Sequence, residues 1–109
     1  KQGAMENRVK YLELEQLNFM SDTSEVTLIG KVINGTLSYL SEFRVDSLLI
    51  NKIINKIQAQ NPDDEIGELL NCETLPNGDC FYSMNFEGKT AIIELHELEQ
   101  VHRCIQIRA

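Results

Sequence analysis

The stretch Asp46–Pro62, DSLLINKIINKIQAQNP, decides the fold because it carries the clearest helix signal in the chain. Its apolar residues recur every three or four positions and form one stripe, which predicts a helix with one packed face. The stripe consists of Leu49, Ile50, Ile53, Ile54 and Ile57. Asp46 is placed to cap the first turn, and Pro62 disfavours helical geometry in Asn61. We therefore predict one principal helix over about residues 46–60, packed on a sheet; the alternative is a stripe that faces a partner.

The residues before this helix predict a hairpin. The stretch from Glu25 to Ile33 is rich in β-branched residues, and Asn34-Gly35 is a strong hairpin signal. A helical stripe is the alternative, although a glycine inside a helix costs about 1 kcal/mol relative to alanine. The residues on that stripe are Val26, Ile29, Ile33, Leu40 and Phe43. We favour two strands, residues 25–33 and 36–44.

The residues after the helix predict a second hairpin, within residues 66–87. Cys80, Tyr82 and Met84 alternate with more polar neighbours, as expected for a strand. A two-residue loop would mix apolar and polar side chains on each face, whereas the three-residue loop 76–78 leaves one face consistently apolar. The opposite pairs are then Thr74 with Cys80, Cys72 with Tyr82, and Leu70 with Met84.

Strands at both ends complete the predicted sheet. Residues 8–19 read as a half-buried strand, and Thr90 to Leu98 read as another, with a helix over 92–105 as the alternative. A last short strand is predicted from Cys104 to Arg108. The fold class is therefore α+β, with an antiparallel sheet of five to seven strands and the principal helix on one face. The predicted core contains Leu12, Leu14, Leu49, Ile50, Ile53, Ile54, Ile57, Leu70, Tyr82, Met84, Ile93 and Leu95, and Ala91 is also expected to point inward.

The 109 residues leave room for one domain, which we predict to span residues 5–109. We interpret residues 1–4, which precede Met5, as an artificial extension. The residues after Met5 lack a secretory signal, and the apolar runs are too short to span a membrane. Three cysteines without paired spacing favour reduced thiols over a disulfide framework. These observations predict a cytoplasmic protein.

The net charge of −7 is distributed unevenly along the chain. Residues 1–56 carry seven acids and seven bases, whereas residues 57–102 carry ten acids and one base, Lys89. Nucleic acids and anionic membranes are therefore poor partners for the second half, and a basic protein surface is the better candidate. The predicted partner-binding residues are Asp63, Asp64, Glu65, Glu68, Glu73, Glu94, Glu97 and Glu99. The alternative is that these carboxylates simply keep the protein soluble.

The cysteines and histidines offer weaker signals. Residues 77–82, NGDCFY, resemble the cysteine box of ovarian-tumour-type deubiquitinases, in which the cysteine opens a helix. The alternating pattern around Cys80 instead predicts an apolar side chain within a sheet. A zinc site would have to be assembled without a Cys-x-x-Cys knuckle, so we predict no metal and no cofactor. The residues that such a site would draw on are Cys72, Cys80, His96, His102 and Cys104.

The sequence therefore favours a non-catalytic intracellular binding protein that uses its acidic half to engage a basic partner. An inhibitor, an immunity protein or a chaperone-like adaptor fits this description, and the partner is expected to be a nucleic-acid-binding enzyme or a toxin. The first alternative is a small enzyme with a site around Cys80 or His96. The second is a structural subunit that forms a homodimer.

Overall fold

The computed structural model describes residues 9–99 and 105–108, so the predicted extension at residues 1–4 lies outside it. The described strands are β1 (Tyr11–Met20), β2 (Glu25–Asn34), β3 (Leu37–Asp46), β4 (Asn71–Thr74), β5 (Cys80–Asn85), β6 (Ile92–Glu94) and β7 (Ile105–Arg108). The helices are α1 (Ile50–Gln60) and α2 (Leu95–Glu99), and 3-10 turns occupy Ser47–Leu49 and Ile66–Leu69. The predicted α+β class, with one principal helix on an antiparallel sheet, is confirmed.

All described strand pairs are antiparallel, and β1 is the hub of the sheet. Six strands follow the order β4-β5-β1-β2-β3-β7, and β6 pairs with the first part of β1. One edge of β1 therefore has two partners, β6 opposite Tyr11–Glu13 and β5 opposite Gln16–Met20. The register against β2 shifts between Leu14 and Gln16, at the point where this partner changes. The shift is a β-bulge, which bends the strand and lets one edge serve two neighbours.

The predicted hairpin before the helix is present, but its loop lies one residue later than the Asn34-Gly35 loop between the predicted strands. Its strands pair from Asn34 opposite Leu37 to Glu25 opposite Asp46, so residues 25–45 are strands rather than a helix. The two loop residues are Gly35 and Thr36, and Gly35 has a φ of 65°. A positive φ at the first loop residue alone is the pattern of a type II′ turn, which favours glycine there.

The second hairpin confirms the predicted register but not the predicted burial. Cys72 lies opposite Tyr82 and Thr74 opposite Cys80, and Gly78 has a φ of 94° at the bulge position of the loop. Residues 66–69 form a 3-10 turn and β4 begins only at Asn71, so the predicted pair of Leu70 with Met84 does not form. Leu70 is 44% exposed and Tyr82 is half-buried, so the prediction that both belong to the core is wrong. The reason is that β4 is the last described strand at its edge of the sheet, where all of its residues are exposed.

The principal helix begins and ends as predicted. The Asp46 carboxylate accepts a 2.8 Å hydrogen bond from the Leu48 N–H and caps the 3-10 turn that leads into α1. The helix ends at Gln60, ahead of Pro62. Ile53 and Ile57 are buried against the sheet, and the remaining stripe residues pack beside them. These remaining residues are Leu49, Ile50 and Ile54.

The chain after Thr90 departs from the predicted long strand. The strand β6 lasts only three residues, because its partner β1 begins at Tyr11, opposite Glu94. The Leu95 N–H then donates to the Lys10 carbonyl, and the chain turns into α2. Ala91, Ile93 and Leu95 nevertheless point inward and are buried, as predicted. The strand β7 lies within the predicted residues 104–108 and pairs with β3.

The core lies between the sheet and its helices. Seven predicted members are buried: Leu12, Leu14, Ile53, Ile57, Met84, Ile93 and Leu95. The sequence prediction omitted Leu17, Val26, Leu28, Val32, Phe43, Val45, Ile66, Phe86 and Leu98. Most of these belong to the two strands whose identity the sequence left open, so their inward positions could not be assigned.

Candidate binding surface

Five of the eight predicted partner-binding carboxylates follow one another between α1 and the end of β4. Residues 63–73, called the acidic segment below, contain no basic residue. All five of its carboxylate side chains are exposed. They are Asp63, Asp64, Glu65, Glu68 and Glu73. The acidic segment therefore presents negative charge to solvent along one short piece of chain.

The start of the acidic segment is fixed by Gln58 of α1. Its side-chain amide donates to the carbonyls of Asn61 (2.9 Å) and Asp64, and its Oε1 accepts from the Ile66 N–H at 3.0 Å. Ile66 is fully buried, so the apolar core holds the segment from the other side. Because the backbone is held at both points, the carboxylates between them project from an ordered loop.

Two further amides tie the end of α1 to the chain around β6. Gln60 donates to the Ile92 carbonyl and accepts from the Ile92 N–H, both at 2.8 Å. Asn61 makes the same two-point contact with Thr90, at 2.7 and 3.1 Å. Each side-chain amide binds one backbone N–H and one backbone carbonyl, as a neighbouring strand would. These bonds satisfy the backbone groups of Thr90 and Ile92 that do not pair with β1. The sequence analysis did not predict that these side chains bind the backbone near β6. The three amide side chains near the helix end, Gln58, Gln60 and Asn61, were the available signal.

Ion pairs distinguish the acidic segment from the later acids. Lys56 Nζ lies 2.7 Å from both oxygens of Glu97, and His96 Nδ1 lies 3.2 Å from Glu94. Within the acidic segment, only Asp64 forms an ion pair with a described side chain, 3.2 Å from Lys89. The Glu99 side chain lies outside the described part of the structure. The carboxylates open to a partner are therefore Asp63, Glu65, Glu68 and Glu73.

A wide depression over the bulge of β1 was not expected from the sequence. Its lining includes Glu13, Glu15, Glu87 and Lys89. The Glu15 carbonyl accepts from the Phe86 N–H at 2.9 Å, so the bulge and the turn after β5 form its two walls. The alternating Leu-Glu-Leu-Glu pattern gives no sign of a bulge, which explains why the depression could not be anticipated.

The two described cysteines lie on β4 and β5 next to Tyr82. Lost solvation raises the pKa of the Cys72 thiol above its ordinary value, and the neighbouring Cys80 thiol raises it further. The pKa of Tyr82 is also raised, first by Cys80 and then by Cys72. Cys80 is the first residue of β5 and does not open a helix. The raised pKa of Cys72 keeps that thiol protonated near neutral pH, where a nucleophilic cysteine would be a thiolate.

The other predicted site residues are dispersed. His96 is exposed on α2, whereas His102 and Cys104 lie outside the described residues. Among residues 9–99 and 105–108, no group of three or more histidine, cysteine or acidic side chains is arranged to hold a metal ion. Across the same residues, no helix has both the length and the apolar character needed to cross a bilayer.

Comparisons with protein-family models, with curated proteins and with solved structures found no match.

Proposed function

We propose that the protein is a non-catalytic, cytoplasmic binding protein whose acidic segment engages a basic protein surface. The observation that carries this proposal is the run of exposed carboxylates in residues 63–73, of which only Asp64 has a described counter-ion. An inhibitor, an immunity protein or a chaperone-like adaptor would each use such a surface.

The anchoring of the acidic segment favours binding over simple solubility. Solubility requires only net charge, whereas Gln58 and the buried Ile66 hold the backbone that carries Asp63, Asp64 and Glu65. A preorganised loop loses less conformational entropy when it meets a partner. The fixed spacing of its charges also permits selection among basic surfaces.

The charge of the second half favours one class of partner. Phosphate backbones and anionic headgroups would be repelled by the nine-charge excess of acids in residues 57–102, whereas lysine and arginine side chains would be attracted. Glu94 and Glu97 are half-buried, and Glu97 already lies 2.7 Å from Lys56 Nζ, so both add less to direct contacts than the exposed acids of the acidic segment. A nucleic-acid-binding enzyme or a toxin, whose working surface is basic, is the partner that this charge suits best.

The proposal is tested by comparing two variants of equal net charge. The test variant neutralises the acidic segment, and the control variant neutralises three exposed acids elsewhere. The test substitutions are Asp63→Asn, Glu65→Gln and Glu68→Gln, and the control substitutions are Glu15→Gln, Asp22→Asn and Glu87→Gln. Proteins captured from the native host by the wild-type protein are identified by mass spectrometry, and association rates are then measured for each variant over a range of salt concentrations.

We expect the test variant to associate about tenfold or more slowly than the control, since charge steering typically changes association rates by this amount. The wild-type rate should also fall steeply as salt increases. Equal rates for the two variants, or a rate that is indifferent to salt, would contradict the proposal.

A structural, dimer-forming role is a second candidate, supported by the first half of β3. The described part of β7 pairs only with Glu42–Arg44, and the preceding residues Leu37, Tyr39 and Leu40 are 63%, 39% and 51% exposed. An exposed, uncharged strand edge is prone to pair with another chain. Light scattering of wild type and of Leu40→Lys tests this candidate: a dimer lost in the variant supports it, and a wild-type monomer rules it out.

A further inference from the structure

The β4–β5 hairpin brings two thiols together at an exposed edge of the sheet. Cys72 lies opposite Tyr82 and Thr74 opposite Cys80, so both cysteines occupy one face as diagonal neighbours. The Cys80 N–H donates to Ser21 Oγ and its carbonyl accepts from the Ser21 N–H, so both groups point away from β4. Thr74 and Cys80 are therefore a non-hydrogen-bonded pair, and by alternation so are Cys72 and Tyr82. Side chains approach most closely at such positions.

The surroundings of the thiols permit access and movement. Cys72 is exposed and Cys80 is half-buried, and both are free thiols. Every residue of β4 is exposed, and among the described strands β4 pairs only with β5. Diagonal neighbours start farther apart than the usual disulfide geometry, so a bond between them requires a small backbone shift. An exposed four-residue edge strand is the part of a sheet that can most readily make this shift.

We propose that Cys72 and Cys80 form an oxidisable dithiol that closes an intramolecular disulfide by exchange with a low-molecular-weight disulfide such as oxidised glutathione. This inference does not depend on the proposed function, because the disulfide is tested on Cys72 and Cys80 and the proposed function is tested on carboxylate side chains. The expected bond is reversible, since exposed or strained disulfides are the more readily reduced ones.

The exchange proceeds in two balanced steps. The exposed Cys72 loses its proton and its thiolate attacks one sulfur of the oxidant, which breaks the oxidant's S–S bond and releases one thiol. Cys80 then loses its proton and attacks the Cys72 sulfur, which breaks the mixed disulfide and releases the second thiol. The two cysteines are oxidised by two electrons, and the oxidant is reduced to two thiols.

The pH dependence of the first step follows from the thiolate requirement. Lost solvation and the nearby Cys80 raise the pKa of Cys72, so the thiolate fraction is small at neutral pH. The rate of closure should therefore increase with pH through and above the neutral range.

The experiment uses the full chain with Cys104→Ser as the background, so that only the two hairpin thiols remain. The protein is incubated with oxidised glutathione, blocked with an alkylating agent and digested after glutamate without reduction. Cleavage after Glu73 separates the two cysteines, so a disulfide leaves their peptides joined. We expect the joined peptides to appear, to disappear on reduction, and to form with the same yield in the wild-type background.

The single variants distinguish a dithiol from two independent thiols. With Cys80→Ser, the second step is lost and Cys72 should accumulate as the glutathione mixed disulfide. With Cys72→Ser, the half-buried Cys80 should be modified more slowly than Cys72 is in the reciprocal variant. Separate glutathione adducts on both cysteines of the background protein, or a wild-type disulfide to Cys104, would overturn the proposal.

Discussion

The β2–β3 hairpin and the β4–β5 hairpin differ in what lies over them, although the sequence predicts both as hairpins. Val26 and Leu28 of β2 are fully buried under the helices, whereas Leu70, beside β4, is 44% exposed. Alternation of apolar and polar residues determines which face a side chain points to. Whether that face is buried depends on a distant element, α1, that covers only part of the sheet. The comparison shows that the formation of a hairpin is a local property and burial is not.

The same difference separates stability from function in this molecule. The covered part of the sheet holds the large buried side chains, while the uncovered edge carries β4, Glu73 of the acidic segment and the two thiols. Binding and reactive groups must reach solvent, so they lie where the helices do not pack. Substitutions in the two parts should therefore differ in their effect on the free energy of unfolding.

The largest expected effect comes from truncating an apolar side chain in each part. Ile57→Ala removes a fully buried side chain of α1 and should lower the free energy of unfolding by about 3–4 kcal/mol. Leu70→Ala, at the exposed edge, should lower it by less than about 1 kcal/mol. Urea titrations followed by circular dichroism measure both values. Similar losses for the two variants would mean that the edge is packed as tightly as the core.

The sequence predicted the fold well where short-range rules apply. Asp46 caps the helix, Pro62 follows its end, and the loop 76–78 determines the pairing of β4 with β5, because each feature depends on neighbouring residues. The burial of Leu70 and the length of β6 were predicted wrongly because each depends on where another strand or helix ends. The bulge in β1 depends on a change of partner strand, which the alternating pattern does not record.

The candidate surface was predictable in composition but not in geometry. Counting charges identified the acidic stretch, and the structure places the carboxylates of residues 63–73 in solvent. Counting could not show that Lys56 pairs with Glu97, 41 residues later in the chain. Nor could it show that Gln58 fixes the acidic segment, because glutamines at a helix end more often face water.

The second expected effect tests the close packing of the central strands. A Cβ at Gly30 would contact the Glu13 carbonyl and lie 2.9 Å from Leu14 Cα, both backbone atoms in the middle of the sheet. Gly30→Ala should therefore lower the free energy of unfolding by about 3 kcal/mol, because neither strand can move aside. Gly67→Ala is the matched control, since a Cβ there meets nothing within 4 Å. Its free energy of unfolding should stay within about 1 kcal/mol of wild type. Equal effects of the two substitutions in thermal and urea unfolding would show that β1 and β2 are not in close contact at Gly30.

The smallest expected effect tests the amide contact that joins the end of α1 to β6. Gln60→Ala removes two 2.8 Å hydrogen bonds to Ile92 and should lower the free energy of unfolding by about 2 kcal/mol, because both backbone groups are partly buried. Asn55→Ala, on the exposed face of α1, is the control and should change it by less than about 0.5 kcal/mol. Hydrogen exchange adds a local readout, since the Ile92 amide should lose protection in Gln60→Ala and keep it in Asn55→Ala. If the Ile92 amide stays equally protected in both variants, β6 is held by β1 alone, and the contact with Gln60 does not order it.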